Sequence, residues 1–134
     1  MTTDHETPDD LRYAVSHEWL RRDPDHPGEA TIGITDYAQD QLGDVVYVAL
    51  PAEDEEVGPG AACGEIESAK TVAEFYAPVG GTVIAVNDDL EEHPELVNES
   101  PYEDGWLIRL RIAGEAGIDD LLDAAGYRAQ LPES

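Results

Sequence analysis

Apolar and polar positions along this chain alternate mostly with a period of two, in short runs separated by Gly, Pro and Asp. Trp106, Ile108, Leu110 and Ile112 alternate with Leu107, Arg109 and Arg111, the pattern of a strand with one face buried. Leu11–Val15, Trp19–Arg22, Glu29–Ile34 and Thr82–Val86 read as further strands. Gly33 inside the third of these predicts a bulge or a close approach to the backbone. Asp44–Leu50 is apolar on both alternations, which predicts a strand covered on both faces, stopped by Pro51. Helical spacing is rare. Thr35 is placed to cap a helix over Asp36–Leu42, with Gly43 to end it. A helical turn is expected near Glu95–Val97. A helix is expected over Glu115–Asp123, with Ile118, Leu121 and Leu122 on one face, interrupted by Gly126 before a last turn at Tyr127–Leu131. Many short strands joined by Gly/Pro turns predict a mainly β sandwich or barrel.

Cys63–Glu67 and the β-branched and aromatic run Val72–Val79 flank a tight connection, Ser68-Ala69-Lys70-Thr71, and so form a hairpin. Lys70, at its tip, is the only lysine among 7 basic residues. An amine forms a stable amide with a carboxylic acid, and a permanently protonated guanidinium does not. A hairpin tip holds the backbone while the side chain projects outward. Position alone favours a merely solvated charge, and the flanking residues change that balance.

Length and composition narrow the field. At 134 residues the chain is one domain, read as a loose acidic tail over 1–10 and a single body over 11–134. A hydrophobic content of 41% excludes a disordered chain. With 31 acids the net charge is −24, which argues against nucleic acid and anionic membranes as partners. Such self-repulsion is relieved in about 1 M salt, where the Debye length is about 3 Å. Acids in excess and arginine in place of lysine fit a halophile's cytoplasm. The single cysteine, Cys63, excludes an internal disulfide and reads as a small buried hydrophobe. No leader peptide or membrane span is visible, so a cytoplasmic protein is expected.

Several motifs fail. His17-Glu18 begins a zinc-protease pattern, but Arg21 stands where the second histidine belongs. Gly58–Gly64 has the wrong spacing for a dinucleotide loop. His5, His26 and His93 fall in turn-rich or acidic loops and read as surface groups, and no metal site is expected.

Glu67-Ser68-Ala69-Lys70-Thr71, followed by Tyr76-Ala-Pro-Val-Gly-Gly-Thr-Val-Ile-Ala-Val-Asn87, resembles the lipoyl-lysine hairpin of the glycine cleavage system H proteins. His17-Glu-Trp-Leu20, Thr31–Gln39, Leu42–Val48, Pro94–Asn98 and Pro101–Trp106 resemble other parts of that family in the same order, from about Leu11 to Leu131. The resemblance implies a barrel-sandwich hybrid of the lipoyl and biotinyl carrier kind, with short helices in the N-terminal half and at the C-terminus. It implies lipoic acid amide-linked to Lys70, with Glu67 and Ser68 read by the lipoylating enzyme, a lipoate ligase or lipoyl transferase. It further implies a non-catalytic shuttle that visits three partners. These are a glycine decarboxylase (P protein), an aminomethyltransferase (T protein) and dihydrolipoyl dehydrogenase (L protein). The stem and arm together would reach on the order of 14 Å.

In the family a cleft shields the cationic aminomethyl arm with a serine and a glutamate near the N-terminus and an acid after the lysine. These carry over to Ser16, Glu18 and Glu74, the last in place of the usual aspartate. Ala69 and Thr71 stand where valine and alanine are common. A biotinyl domain would place methionines beside Lys70, and a 2-oxoacid dehydrogenase domain would place aspartate before it. Neither is present. Two alternatives stay open: an unmodified structural or binding protein that retains the fold, and a lipoyl donor to other complexes.

Overall fold

The computed structural model describes residues 7–113 and 116–131. Among the described residues nine strands form two antiparallel sheets. In chain order they are β1 (Arg12–Tyr13), β2 (Glu18–Arg22), β3 (Glu29–Ile34), β4 (Val45–Ala49), β5 (Glu56–Val57), β6 (Ala62–Ser68), β7 (Val72–Tyr76), β8 (Gly81–Val86) and β9 (Ile108–Ile112). One sheet has the order β1-β2-β3-β9-β8-β5 and the other β4-β6-β7. The helices are short: α1 (Asp36–Leu42), α2 (Leu96–Glu99), α3 (Ala116–Asp119) and α4 (Ala124–Gln130), with a 3-10 turn at Asp88–Glu91.

The core lies where the inward alternations of both sheets meet, around Leu20, Ile32, Phe75, Val83 and Leu110. A second cluster joins Leu11, Tyr13, Trp19, Tyr102 and Tyr127, closing the N-terminal strands against α4. Tyr13 and Tyr127 stack there at 4.8 Å.

Local signals place several elements where the sequence expects them. Thr35 caps α1, its Oγ1 accepting from Ala38 N–H. Gly33 faces Trp19 across the β2–β3 ladder, and a Cβ there would stand 2.6 Å from the indole. The close approach is therefore by a side chain, and the β2–β3 register runs without a bulge.

Two expectations are corrected. β4 is covered on one face only: Val46 and Tyr47 are exposed, because the register slips between Val45 and Tyr47 and turns both outward. The C-terminal helix is two helices. Leu122 leaves the helical path to bridge Tyr13, and Asp123 then caps α4 by accepting from Gly126 N–H, so Gly126 lies inside a helix. Glu115 lies outside the described residues. Of the expected tail, residues 1–6 lie outside them too, while Thr7–Asp10 rest on the body. Tyr13 OH donates to Pro8 O at 2.6 Å and Arg128 donates to Thr7 O at 2.8 Å.

Candidate functional site

Lys70 sits on the three-residue connection between β6 and β7, and that connection is built by Ser68. Ser68 N–H donates to Thr71 O at 2.7 Å, and Ser68 Oγ accepts from Lys70 N–H at 3.3 Å and Thr71 N–H at 3.1 Å. A short hydroxyl side chain bonding its own turn is a favoured arrangement, and it consumes the side chain. Ser68 is accordingly buried at 5% exposure. Ser68 thus shapes the tip from within, while Glu67 stays exposed.

The tip is tied to the rest of the fold at one corner. Ala69 N–H donates to Asp44 O at 3.0 Å, just ahead of β4. Asn98, from α2, locks that corner: it accepts from Val45 N–H at 2.8 Å and donates to Gly43 O at 2.8 Å and to Gln39 Oε1 at 2.9 Å. Gly43 has φ +82°, and a Cβ on it would stand 3.1 Å from Lys70 Cε. The lysine stem thus lies across a residue with no side chain. Among the described residues Lys70 has no ion pair.

Leu42, next to Gly43, lines a cleft of about 290 Å³ together with Ser16, His17, Tyr37, Ile66 and Glu74. Two of the three acid-cleft residues expected from sequence, Ser16 and Glu74, meet there. Glu18 does not line it. It is 2% exposed, and its carboxylate accepts from Ser16 Oγ and, at 3.1 Å, from Tyr76 N–H on the edge of β7. Burial pushes the Glu18 carboxyl up to about 7, against the two hydrogen bonds that favour its ionised form. The same burial, with Glu18 nearby, raises the Cys63 thiol to about 11, so this cysteine is an inert part of the core.

In the sequence His17 begins a failed zinc motif and belongs to the His17-Glu-Trp-Leu20 resemblance. The structure gives it the left-handed φ of +79°, sets its ring 5.0 Å from Tyr37, and bonds Nδ1 to Tyr127 OH at 2.7 Å. Tyr127 OH bonds Thr35 Oγ1, also at 2.7 Å. The α1 cap, α4 and one cleft wall are therefore one connected network, and burial lowers the His17 pKa. Asp23, His26 and Glu29 bring ligand atoms within 4.8 Å of one another, but Arg109 donates to both carboxylates at 2.9 and 3.0 Å.

A family model described as Glycine cleavage H-protein matches residues 11–134. The chain belongs to the glycine cleavage H-protein family. A glycine cleavage system H protein of Deinococcus radiodurans is 55% identical over 130 residues, covering 97% of this chain and 98% of its own length. One from Micrococcus luteus is 52% identical over 120 residues, covering 90% and 93%. The crystal structure of the H protein of Mycobacterium marinum superposes with a TM-score of 0.83 at 36% identity, covering 92% of this chain and 97% of that one. The two-sheet architecture is the barrel-sandwich hybrid of lipoyl carriers. The H-protein family to which the chain belongs is a carrier component of the glycine cleavage system.

Proposed function

We propose that Lys70 carries lipoic acid and that the chain shuttles an aminomethyl group and electrons among the P, T and L proteins of glycine cleavage in the cytoplasm. The observation that carries this reading is a solitary lysine whose backbone is fixed by Ser68 and Ala69 while its stem lies over a glycine, clear of any ion pair among the described residues. The site fits a long acyl arm. The side chain that would block the stem is missing at Gly43, and the cleft opens beside it at Leu42.

When attached, the lipoyl group supplies a dithiolane able to carry a one-carbon amine and a pair of electrons. This chain's residues do the rest. Lys70 provides the amine and the reach, and a tether raises the local concentration of its end before each partner. Ser16 and Glu74 line the cleft, and Glu18 places a carboxyl behind Ser16. A cation entering the cleft draws Glu18 toward its ionised form, since an opposite charge favours that state. The catalytic cofactors belong to the partners. Among the described residues no helix is long and apolar enough to cross a membrane.

Intact-mass measurement on protein from its native cells tests the reading. A lipoyl-sized increment mapping to Lys70 is expected. Lys70→Arg keeps the charge, takes no acyl group, and should lose reconstituted glycine decarboxylation with its circular dichroism unchanged. Full activity in that variant would overturn the assignment.

A further inference from the structure

The turn ahead of β2 ties both backbone groups of His17. Its N–H donates to Ala14 O at 3.0 Å, and its carbonyl accepts from Thr35 N–H at 3.0 Å. A φ of +79° on a residue with a side chain persists only where the surroundings over-determine it. The side chain is tied as well. Thr35 Oγ1 accepts from Ala38 N–H at 3.2 Å and is fully buried, so its own proton needs an acceptor inside the protein. Among the described residues Tyr127 OH is the one that offers it, at 2.7 Å. The Tyr127 oxygen thus accepts from Thr35, and its own proton goes to His17 Nδ1, also at 2.7 Å. An Nδ1 that accepts leaves the neutral ring its single proton on Nε2. Burial lowers the His17 pKa and keeps the ring neutral.

His17 lines the cleft and Tyr127 does not. The Nδ1 edge of the ring therefore faces α4, and the Nε2 edge, with no hydrogen-bond partner among the described residues, is left to the cleft. Tyr37, Ala38, Gln41 and Leu42 form one face of α1, so the cleft runs along that helix from Gly43, under the Lys70 stem, toward Tyr37. The helix rises about 9 Å over that stretch. His17 stands at the far end, its ring 5.0 Å from that of Tyr37. An arm of lipoyl length extends about 10 Å from Lys70 Cε to its sulfurs. The sulfur end of the arm and the His17 ring thus fall at the same depth.

We infer that His17 binds the sulfur end of the loaded arm, donating Nε2–H to a sulfur lone pair, and that Tyr127 holds the ring in the tautomer able to do so. The inference rests on Lys70 carrying the lipoyl group. Chemistry divides the end of the arm between two kinds of partner. The aminomethyl cation has carboxylates to meet, Glu74 on the cleft wall and Glu18 behind Ser16. An imidazolium at His17 would repel that cation, and a neutral ring does not. The sulfur accepts hydrogen bonds and finds nothing in a carboxylate, so an N–H is its complement. Ser16 already donates its proton to Glu18. Tyr127, on α4, is a positioning residue that reaches the cleft only through His17.

The test uses the full chain with isotopically labelled histidine, lipoylated at Lys70 and charged with glycine by the decarboxylase, and reads the ring nitrogens by NMR. The His17 signals are those missing from His17→Asn. In the unlipoylated wild type they should show the Nε2–H tautomer. Tyr127→Phe leaves the ring in place and should show both tautomers. Loading the arm should shift Nε2 and leave Nδ1 where it was. Asparagine tolerates a left-handed φ and offers Tyr127 an acceptor in place of Nδ1, so His17→Asn keeps the relay and removes Nε2. Without the aminomethyltransferase this variant should release ammonia from the loaded arm about fivefold faster than wild type, as loss of one hydrogen bond does. An Nδ1–H tautomer in the wild type, a Tyr127→Phe spectrum like that of wild type, an Nε2 signal indifferent to loading, or equal release from His17→Asn would each overturn the proposal. A wild type that takes no lipoyl group at Lys70 would overturn the carrier reading and this role with it. The unlipoylated spectrum needs no arm, so it separates that failure from a wrong tautomer.

Discussion

Glu18→Gln should make this protein more stable above neutral pH. Burial lifts the carboxyl from 4.5 to about 7. At 1.36 kcal/mol per pH unit, an ionised Glu18 costs the folded state about 3 kcal/mol relative to the unfolded chain. The sign follows from proton counts. Below pH 4.5 both states hold the proton, and Glu18 adds no pH dependence. Between 4.5 and about 7 the unfolded chain releases a proton that the fold retains, so stability falls as pH rises. Above about 7 the loss is complete and constant. Glutamine keeps the shape and removes the charge. Its carbonyl accepts from Tyr76 N–H as Glu18 does at 3.1 Å, and its amide donates to Ser16 Oγ, so neither partner is orphaned.

The expected gain is about 3 kcal/mol at pH 8, which for a domain of this size is a rise in Tm of about 10 °C. It should shrink to nothing as pH falls to 4.5. Thermal unfolding by circular dichroism from pH 4.5 to 8.5, in molar KCl to screen general repulsion, measures it. A Tm difference independent of pH, or a glutamine variant less stable than wild type at pH 8, would refute the argument. Either result would mean that the carboxylate is held ionised by a partner stronger than its two hydrogen bonds.

The same variant, lipoylated and loaded with labelled glycine, should release ammonia about tenfold faster than wild type without the aminomethyltransferase, since ~1.4 kcal/mol is a tenfold effect; equal release would make Glu18 structural only. Gly43→Ala should lose about 1–3 kcal/mol of stability, because φ +82° with ψ −160° is almost confined to glycine and the new methyl meets Lys70 Cε, and urea unfolding measures the loss. Tyr127→Phe leaves His17 Nδ1 and Thr35 Oγ1 without their shared partner and should cost about 1–3 kcal/mol by the same assay. Melting temperature should rise markedly from dilute buffer to molar KCl, because 31 acids repel one another; a Tm indifferent to salt would refute the halophile inference.

What the sequence disclosed was local. β3 and α1 have the bounds their patterns predict, since alternation and a cap followed by a stop are written in neighbouring residues. Lys70 was legible because it is the only lysine and lies on a turn. β4 was misread because an apolar residue on either alternation looks buried, and the bulge that exposes Val46 and Tyr47 has no glycine to mark it. The C-terminal helices were merged because the residue that divides them, Leu122, is drawn out by Tyr13, over 100 positions away. The same holds for the site. Gly43 was foreseen as a helix stop and not as the bed of the lysine stem, and the contact of His17 with Tyr127 spans 110 positions. Glu18 was found by resemblance. That it lies buried behind the cleft follows only from the meeting of β2 with the edge of β7.

The basic residues divide their labour in a way that bears on attachment. Arginine cross-links the structure: Arg109 holds Asp23 and Glu29, Arg128 holds Thr7 and Asp9, and Arg21 meets Glu103 while lying 5.0 Å from the Trp19 ring. A planar guanidinium suits these fixed forks, and it cannot lose its proton to become a nucleophile. Asp23 shows the strength of one such fork: the hydrogen bond from Arg109 holds its carboxyl down at about 2. Lys70 in such a pair would be held away from an approaching enzyme, and the one lysine instead stands at a tip with no ion pair among the described residues. On the proposed attachment, the scarcity of lysine makes acylation selective, since Lys70 offers the only side-chain amine in the chain.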